Sequence, residues 1–116
     1  MGELVRDGLT ISVERYDEAR RRIAQARVRI AEIYKATPII LVPAATGPAP
    51  RGLALTGDSR MNSPWTALGT PAITIPMPVG DALPLGLQLT AAHGQDARVI
   101  RTAVRLHAIL GNEVVR

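Results

Sequence analysis

Residues 12–36, SVERYDEARRRIAQARVRIAEIYKA, place Tyr16, Ile23 and Ile30 seven residues apart, with Ala19, Ala26 and Ile33 between them. This spacing predicts one long helix carrying a narrow apolar stripe, whose small Ala residues allow another element to approach closely. Ser12 is suited to cap its N-terminus. Glu14, Asp17 and Glu18 lie where the positive end of the helix dipole favours acids. Pro38 disfavours helical geometry at Thr37 and closes the run.

The period then changes. All nine prolines fall between Pro38 and Pro84. The segment 38–43, PIILVP, is a short apolar run rich in β-branched residues and predicts a strand buried on both faces. Residues 44–60 form a Gly- and Pro-rich loop. In 63–69, SPWTALG, Ser63 is expected to cap a short helix, with Pro64 at its first position and Gly69 at its C-terminus. A second strand is expected over 71–77 and a third over 85–91, separated by a turn at 79–84 in which Gly80 and Asp81 supply the turn residues. The second and third strands either pair as a hairpin or flank another strand. Over 94–112, Val99, Ala103, Leu106 and Leu110 recur at helical spacing, and Gly111 fits a C-terminal cap. His107 falls in the apolar half of this helix and is expected to pack there, partly buried.

The order is therefore helix, strand, loop, short helix, strand, strand, helix. Read as one unit over 1–116, it has the long helix at 12–36, strands and loop over 37–92, and a terminal helix over 94–111. Strands this apolar need cover on both faces, and two long helices and one short one hardly supply it. Three strands also leave open edges. The pattern predicts part of a larger α/β sheet.

Composition narrows the function classes. The chain has 116 residues, 47% of them hydrophobic and 21% charged, which is globular rather than disordered. No apolar run approaches the roughly 18 residues of a membrane helix. The chain has no cysteine, which excludes disulfides, thiolate zinc sites and a Cys nucleophile, and the expected compartment is the cytoplasm. The net charge is +4, and seven of the 14 basic residues lie between Ser12 and Ala36. This gives a competing reading, a small basic binding module that uses the Arg-rich helix on nucleic acid. Acids interrupt the basic stripe and no aromatic series accompanies it for base stacking, so a solvated helix face is preferred.

Chemistry-bearing groups are sparse. There is no G-x-S-x-G elbow, Walker A or G-x-G-x-x-G pattern. Asp58, Ser59 and His93 could in principle assemble a triad, but nothing local positions an exposed, strained serine. His93 and His107 have no acidic cluster nearby, so no metal and no cofactor are expected. Asp58 after Gly57 reads as a turn-stabilising residue.

Three stretches, IILVPAATGPAP, TGDSRMNSPWTALGTPAITIPM and LPLGLQLTAAHGQDARVIRTAVRLH, resemble in order and spacing the C-terminal part of the amidase signature family. That family shows a D-x-L-L-x-P-x-x-P-x-x-A-P segment, then T-G-D-x-x-F-N-x-P-W-T, G-x-P-A-x-x-x-P and L-P-x-G-L-Q-L, with a helix after G-x-D. The match runs over about 37–110, and the 12–36 helix is similar to the Arg- and Ala-rich helix that precedes it. The resemblance implies an incomplete C-terminal segment of the amidase signature fold, a mixed β-sheet flanked by helices. It implies hydrolysis of carboxamide C–N bonds by a Ser–cis-Ser–Lys triad in a Gly/Ser-rich stretch. This chain has no such stretch, and Lys35 does not match the family lysine. No catalytic residue carries over, and the chain is expected to be inactive alone. Its implied partners are the missing N-terminal amidase portion or a small-molecule amide, with a second copy of the chain a further option and a membrane excluded. The segment before the G-x-P strand approaches the family's cleft, which makes Met61, Asn62 and Trp65 substrate-pocket candidates. Met61 departs from the common Phe. Trp65 either lines that pocket or packs under the 44–60 loop with its N–H satisfied by backbone.

Overall fold

The computed structural model describes residues 2–52, 54–77 and 81–113. Its elements are α1 (Gly2–Leu9), α2 (Val13–Ala36), β1 (Ile40–Pro43), a 3-10 turn (Ser59–Met61), α3 (Ser63–Leu68), β2 (Ala72–Met77), β3 (Leu85–Thr90) and α4 (Asp96–Glu113). The long helix, the three strands and the terminal helix lie where the sequence pattern puts them. The eight-residue α1 was not legible, because two glycines in so short a segment suppress any helical signal.

Ser12 caps α2, its hydroxyl accepting from the Arg15 N–H at 3.3 Å. The Glu14 carboxyl in that first turn is held below the ordinary glutamate value of about 4.5, first by its own backbone N–H and second by the Ser12 hydroxyl. Because the folded value is depressed, the resulting stabilisation is present above the unfolded pKa and is lost as pH falls through the folded one. Far-UV circular dichroism is therefore expected to show the start of α2 loosening only below about pH 4.5. Glu14→Gln is expected to flatten that dependence, and an unchanged profile in the variant would refute the assignment.

The sheet has the order β1-β3-β2, antiparallel throughout among the described residues. β3 is central, so the strands at 71–77 and 85–91 do pair, and β3 also pairs with β1 on its other side. Alternation along β3 splits the sheet into two different faces. Leu89 and Ala91 of the central strand segment, with Ile75 from β2, bury against Val99 and Ala103 of α4; Ile39, Ile73, Leu87, Leu106 and Leu110 complete this core. On the opposite face Gln88 and Thr90 are buried polar residues. There Tyr34 of α2 reaches across, its hydroxyl 2.8 Å from Thr90 Oγ1. Thr90 in turn bonds Thr70 Oγ1 at 3.3 Å. Tyr34→Phe deletes one buried hydroxyl and is expected to cost about 1–2 kcal/mol, measured as a shift in the urea midpoint.

Several expectations are corrected. β1 alternates between half-buried and exposed positions instead of being buried on both faces, because α4, which lies on the face carrying Leu41 and Leu89, packs chiefly over β2 and β3. The residue flanking α3 is Asn62, which makes no side-chain cap bond. Ser63 is already helical and donates its hydroxyl to Ser59 Oγ at 3.1 Å. Gly111 lies inside α4, which runs on to Glu113. His107 is exposed, since the apolar face of α4 that packs on the sheet is the one carrying Val99, Ala103, Leu106 and Leu110. The Gly80 part of the expected turn lies outside the described residues.

The chain is flat, 57 × 41 × 17 Å, with a radius of gyration of 17.4 Å. A compact chain of this length has about 13 Å. Few side chains are fully buried, and Val28, Leu41, Ile100 and Val104 stand exposed.

Candidate functional site

The segment from Gly57 to Gly69 is fixed by local bonds. Asp58 caps the 3-10 turn, with Oδ1 accepting from the Arg60 N–H at 2.8 Å and Oδ2 2.7 Å from Arg60 Nη2. This is the turn-stabilising role expected of it, and it leaves the carboxylate engaged by Arg60. Gly69 ends α3 in the left-handed region at φ 69°, a conformation that glycine adopts without the penalty a Cβ would bring. The Gly69 N–H donates to the carbonyls of Thr66 and Trp65.

Met61, Asn62 and Trp65 do not converge on one cavity. Met61 lines an apolar groove of about 550 Å³ with Leu41, Pro43, Met77, Leu85 and Leu87. Asn62 is a bracket: its Nδ2 donates to the Ala44 carbonyl at 3.3 Å, and its Oδ1 accepts from Gln88 Nε2 at 2.8 Å. Through it the 44–47 loop, the 3-10 turn and β3 are held together. Trp65 is half-buried, and its indole N–H is buried with no partner. That contradicts the reading in which backbone satisfies this N–H. Gln88, only 5% exposed, likewise leaves Oε1 unpartnered. One buried donor and one buried acceptor are thus unmet among the described residues, where groups of this kind are normally paired. Gln88 was not singled out from the sequence, although a glutamine in the middle of the apolar run LGLQL is the signal that could have found it.

On the other side of α3, a cavity of about 290 Å³ lies between Arg27, Tyr34, Leu68, Thr70 and His93. Arg27 donates from Nε and Nη2 to the Ala67 carbonyl, at 3.2 and 2.9 Å, compensating the negative C-terminal end of α3. His93 belongs to this cavity, whereas Ser59 bonds Ser63 and Asp58 pairs with Arg60, so the three residues do not form a triad. Among the described residues no three His, Asp or Glu side chains cluster, and no helix is long and apolar enough to cross a membrane. Much of the basic face of α2 is engaged within the chain. Arg22 pairs with Glu18 at 2.6 Å and Lys35 with Glu32 at 2.7 Å. Arg20 lies 5.8 Å from the centroid of the Tyr16 ring.

The chain thus presents a three-stranded sheet only partly covered by helices, with an apolar groove across β1, β3 and the end of β2. By sequence the chain belongs to the amidase signature family, of whose members it matches only a part. It is 26% identical over 127 residues to AmiA2 of Mycobacterium tuberculosis, named as a candidate amidase; the match covers 96% of this chain and 24% of that protein. It is 32% identical over 89 residues to a glutamyl-tRNA(Gln) amidotransferase subunit of Tropheryma whipplei, covering 71% of this chain and 17% of that one. A 47-residue stretch is 45% identical to an acylamidase of Rhodococcus erythropolis. A crystal structure of an amidase superposes with a TM-score of 0.81 at 24% identity, over 93% of this chain and 28% of that chain. The chain thus spans about a quarter or less of the length of these relatives. No family model matches it.

Proposed function

We propose that this chain works as the C-terminal segment of an enzyme that hydrolyses carboxamide C–N bonds, supplying sheet strands and part of the wall of the substrate cleft. The nucleophile comes from outside these 116 residues, and the chain is inactive alone. The observation that carries this reading is the superposition on a solved amidase over nearly the whole chain but little more than a quarter of that enzyme. The apolar groove at Met61 supports it, since a wall of aliphatic side chains suits the non-reacting part of an amide. A cytoplasmic location belongs to the same reading.

The test has two arms. The purified chain is expected to release no ammonia or amine from short aliphatic and aryl amides above the buffer rate. A chimera of the Rhodococcus erythropolis acylamidase, carrying this chain's version of the matched 47 residues, is expected to keep amide hydrolysis. Turnover by the isolated chain that tracks with the protein through purification, or a folded but inert chimera, would overturn the proposal.

A further inference from the structure

The two ends of β3 carry different hollows. The groove at Met61 takes Leu85, Gly86 and Leu87 from the start of the strand. The cavity of about 290 Å³ takes Ala92 and His93, just past its end, and shares no lining residue with the groove. Ile30 and Ala31 of α2, with Leu68 of α3, give this second cavity aliphatic walls. Arg27 and His93 are its basic side chains, and no carboxylate lies in its lining.

Arg27 is fixed in place within the chain itself. Its Nε and Nη2 donate to the Ala67 carbonyl at 3.2 and 2.9 Å, and a Cβ at Gly69 would lie 3.8 Å from Nη2. The guanidinium is therefore held against the C-terminal end of α3 instead of trailing in solvent, which lowers what its ordering costs a ligand. Guanidinium N–H donors form a rigid planar fork. The Nε edge of this fork is spent on Ala67. The opposite edge, formed by Nη1 and Nη2, pairs with no carboxylate among the described residues. Two parallel N–H groups on such an edge match the two oxygens of a carboxylate.

The hydroxyls in the wall do not add competing donors. Thr90 Oγ1 donates to Thr70 Oγ1 at 3.3 Å, and a threonine hydroxyl has a single proton, so Tyr34 is the donor in its 2.8 Å bond to Thr90. Thr70 Oγ1 in turn donates to the Trp65 carbonyl at 3.5 Å. The chain of hydroxyls runs one way, from Tyr34 to Trp65, and uses every hydroxyl proton along it. It ties the wall together and leaves the holding of an anion to Arg27 and His93.

We propose that the cavity between Arg27, Leu68 and His93 is a binding site for small organic carboxylates, with the anionic head on the outer guanidinium edge and an apolar body against Ile30, Ala31 and Leu68. Its volume falls at the lower end of ligand pockets and suits a single ring or a short alkyl chain. The site lies at the other end of β3 from the groove given to the amide, and it stands whether or not the chain is an amidase segment.

The test titrates the isotope-labelled 116-residue chain with sodium benzoate at constant ionic strength and follows its amide chemical shifts. Saturable shifts are expected, largest at Gly69, Thr70 and His93. Benzamide, which keeps the ring and loses the charge, is expected to bind at least about tenfold more weakly, because the charge-assisted bonds are gone. Arg27→Gln is expected to weaken benzoate at least about tenfold for the same reason. Ala31→Leu, which adds bulk to the lining and leaves Arg27 in place, is expected to weaken it by about as much. Arg29→Gln, which removes a positive charge from α2 outside the cavity, is expected to stay within about twofold of wild type. Circular dichroism checks that each variant keeps the wild-type fold; if Arg27→Gln loosens α3, Ala31→Leu and benzamide decide the matter. Absence of saturable shifts, equal affinity for benzamide, an equal loss with Arg29→Gln, or shifts centred on Leu41 and Leu87 overturns the site.

Discussion

Leu89→Ala is expected to lower the stability of the chain by about 2–5 kcal/mol, the largest loss of any single truncation considered. Leu89 is 0% exposed and sits on the central strand, paired with Leu41 on one side and Ile73 on the other. Beneath it lie Val99 and Ala103 of α4 and Ile75 of β2. Removing its branched end strips contacts from both the sheet and the helix, and the rigid ladder on either side limits how far the cavity can close. Urea denaturation should show a lower midpoint at an unchanged slope. Leu41→Ala, in the same ladder but half exposed, is expected to cost well under half as much. Equal losses at the two positions would mean that the core is not centred on β3.

Gly86→Ala is expected to be the second most damaging change, by about 1–3 kcal/mol, although it adds a single methyl group. A Cβ at position 86 would lie 2.6 Å from Thr74 Cγ2 and 2.7 Å from Ala44 Cβ. Neither distance is tolerable for carbon atoms, and Ala44 Cβ can yield only if the backbone at the end of β1 moves. That backbone carries the carbonyl to which Asn62 donates, so the strain reaches the bracket between the loop and β3. Ala44→Gly in the Gly86→Ala background should recover part of the loss, a coupling that a double-mutant cycle measures directly. Simple additivity of the two changes would show that the clash is absorbed elsewhere. The glycine is required here by close packing, not by an unusual backbone angle, because Thr74 of β2 and Ala44 at the end of β1 both close on this position.

Much of the local structure was readable in the sequence. The Ser12 cap, the stop at Thr37, the glycine that ends α3 and the three strands follow from signals within a few residues of each event. The ordered series of Pro- and Gly-containing segments carried the family resemblance. The candidate site was less legible. Met61, Asn62 and Trp65 are singled out by the family resemblance of their segment, and a 3-10 turn running into a helix gives them different surroundings. Met61 enters the groove, Asn62 bridges Ala44 and Gln88, and the Trp65 indole N–H is buried unpartnered.

The set of elements and their order is written locally, because helix caps, proline stops and the two hydrophobic periods act over one or two turns of chain. Whatever joins residues far apart arises only in the folded chain: β3 as the central strand, the bond between Tyr34 and Thr90 across 56 residues, the bond between Asn62 and Gln88 across 26, and the half-covered edge of β1. Local preference does not encode such pairings. They are selected by burial of apolar area and by the need to satisfy polar groups inside it, and both are properties of the assembled sheet.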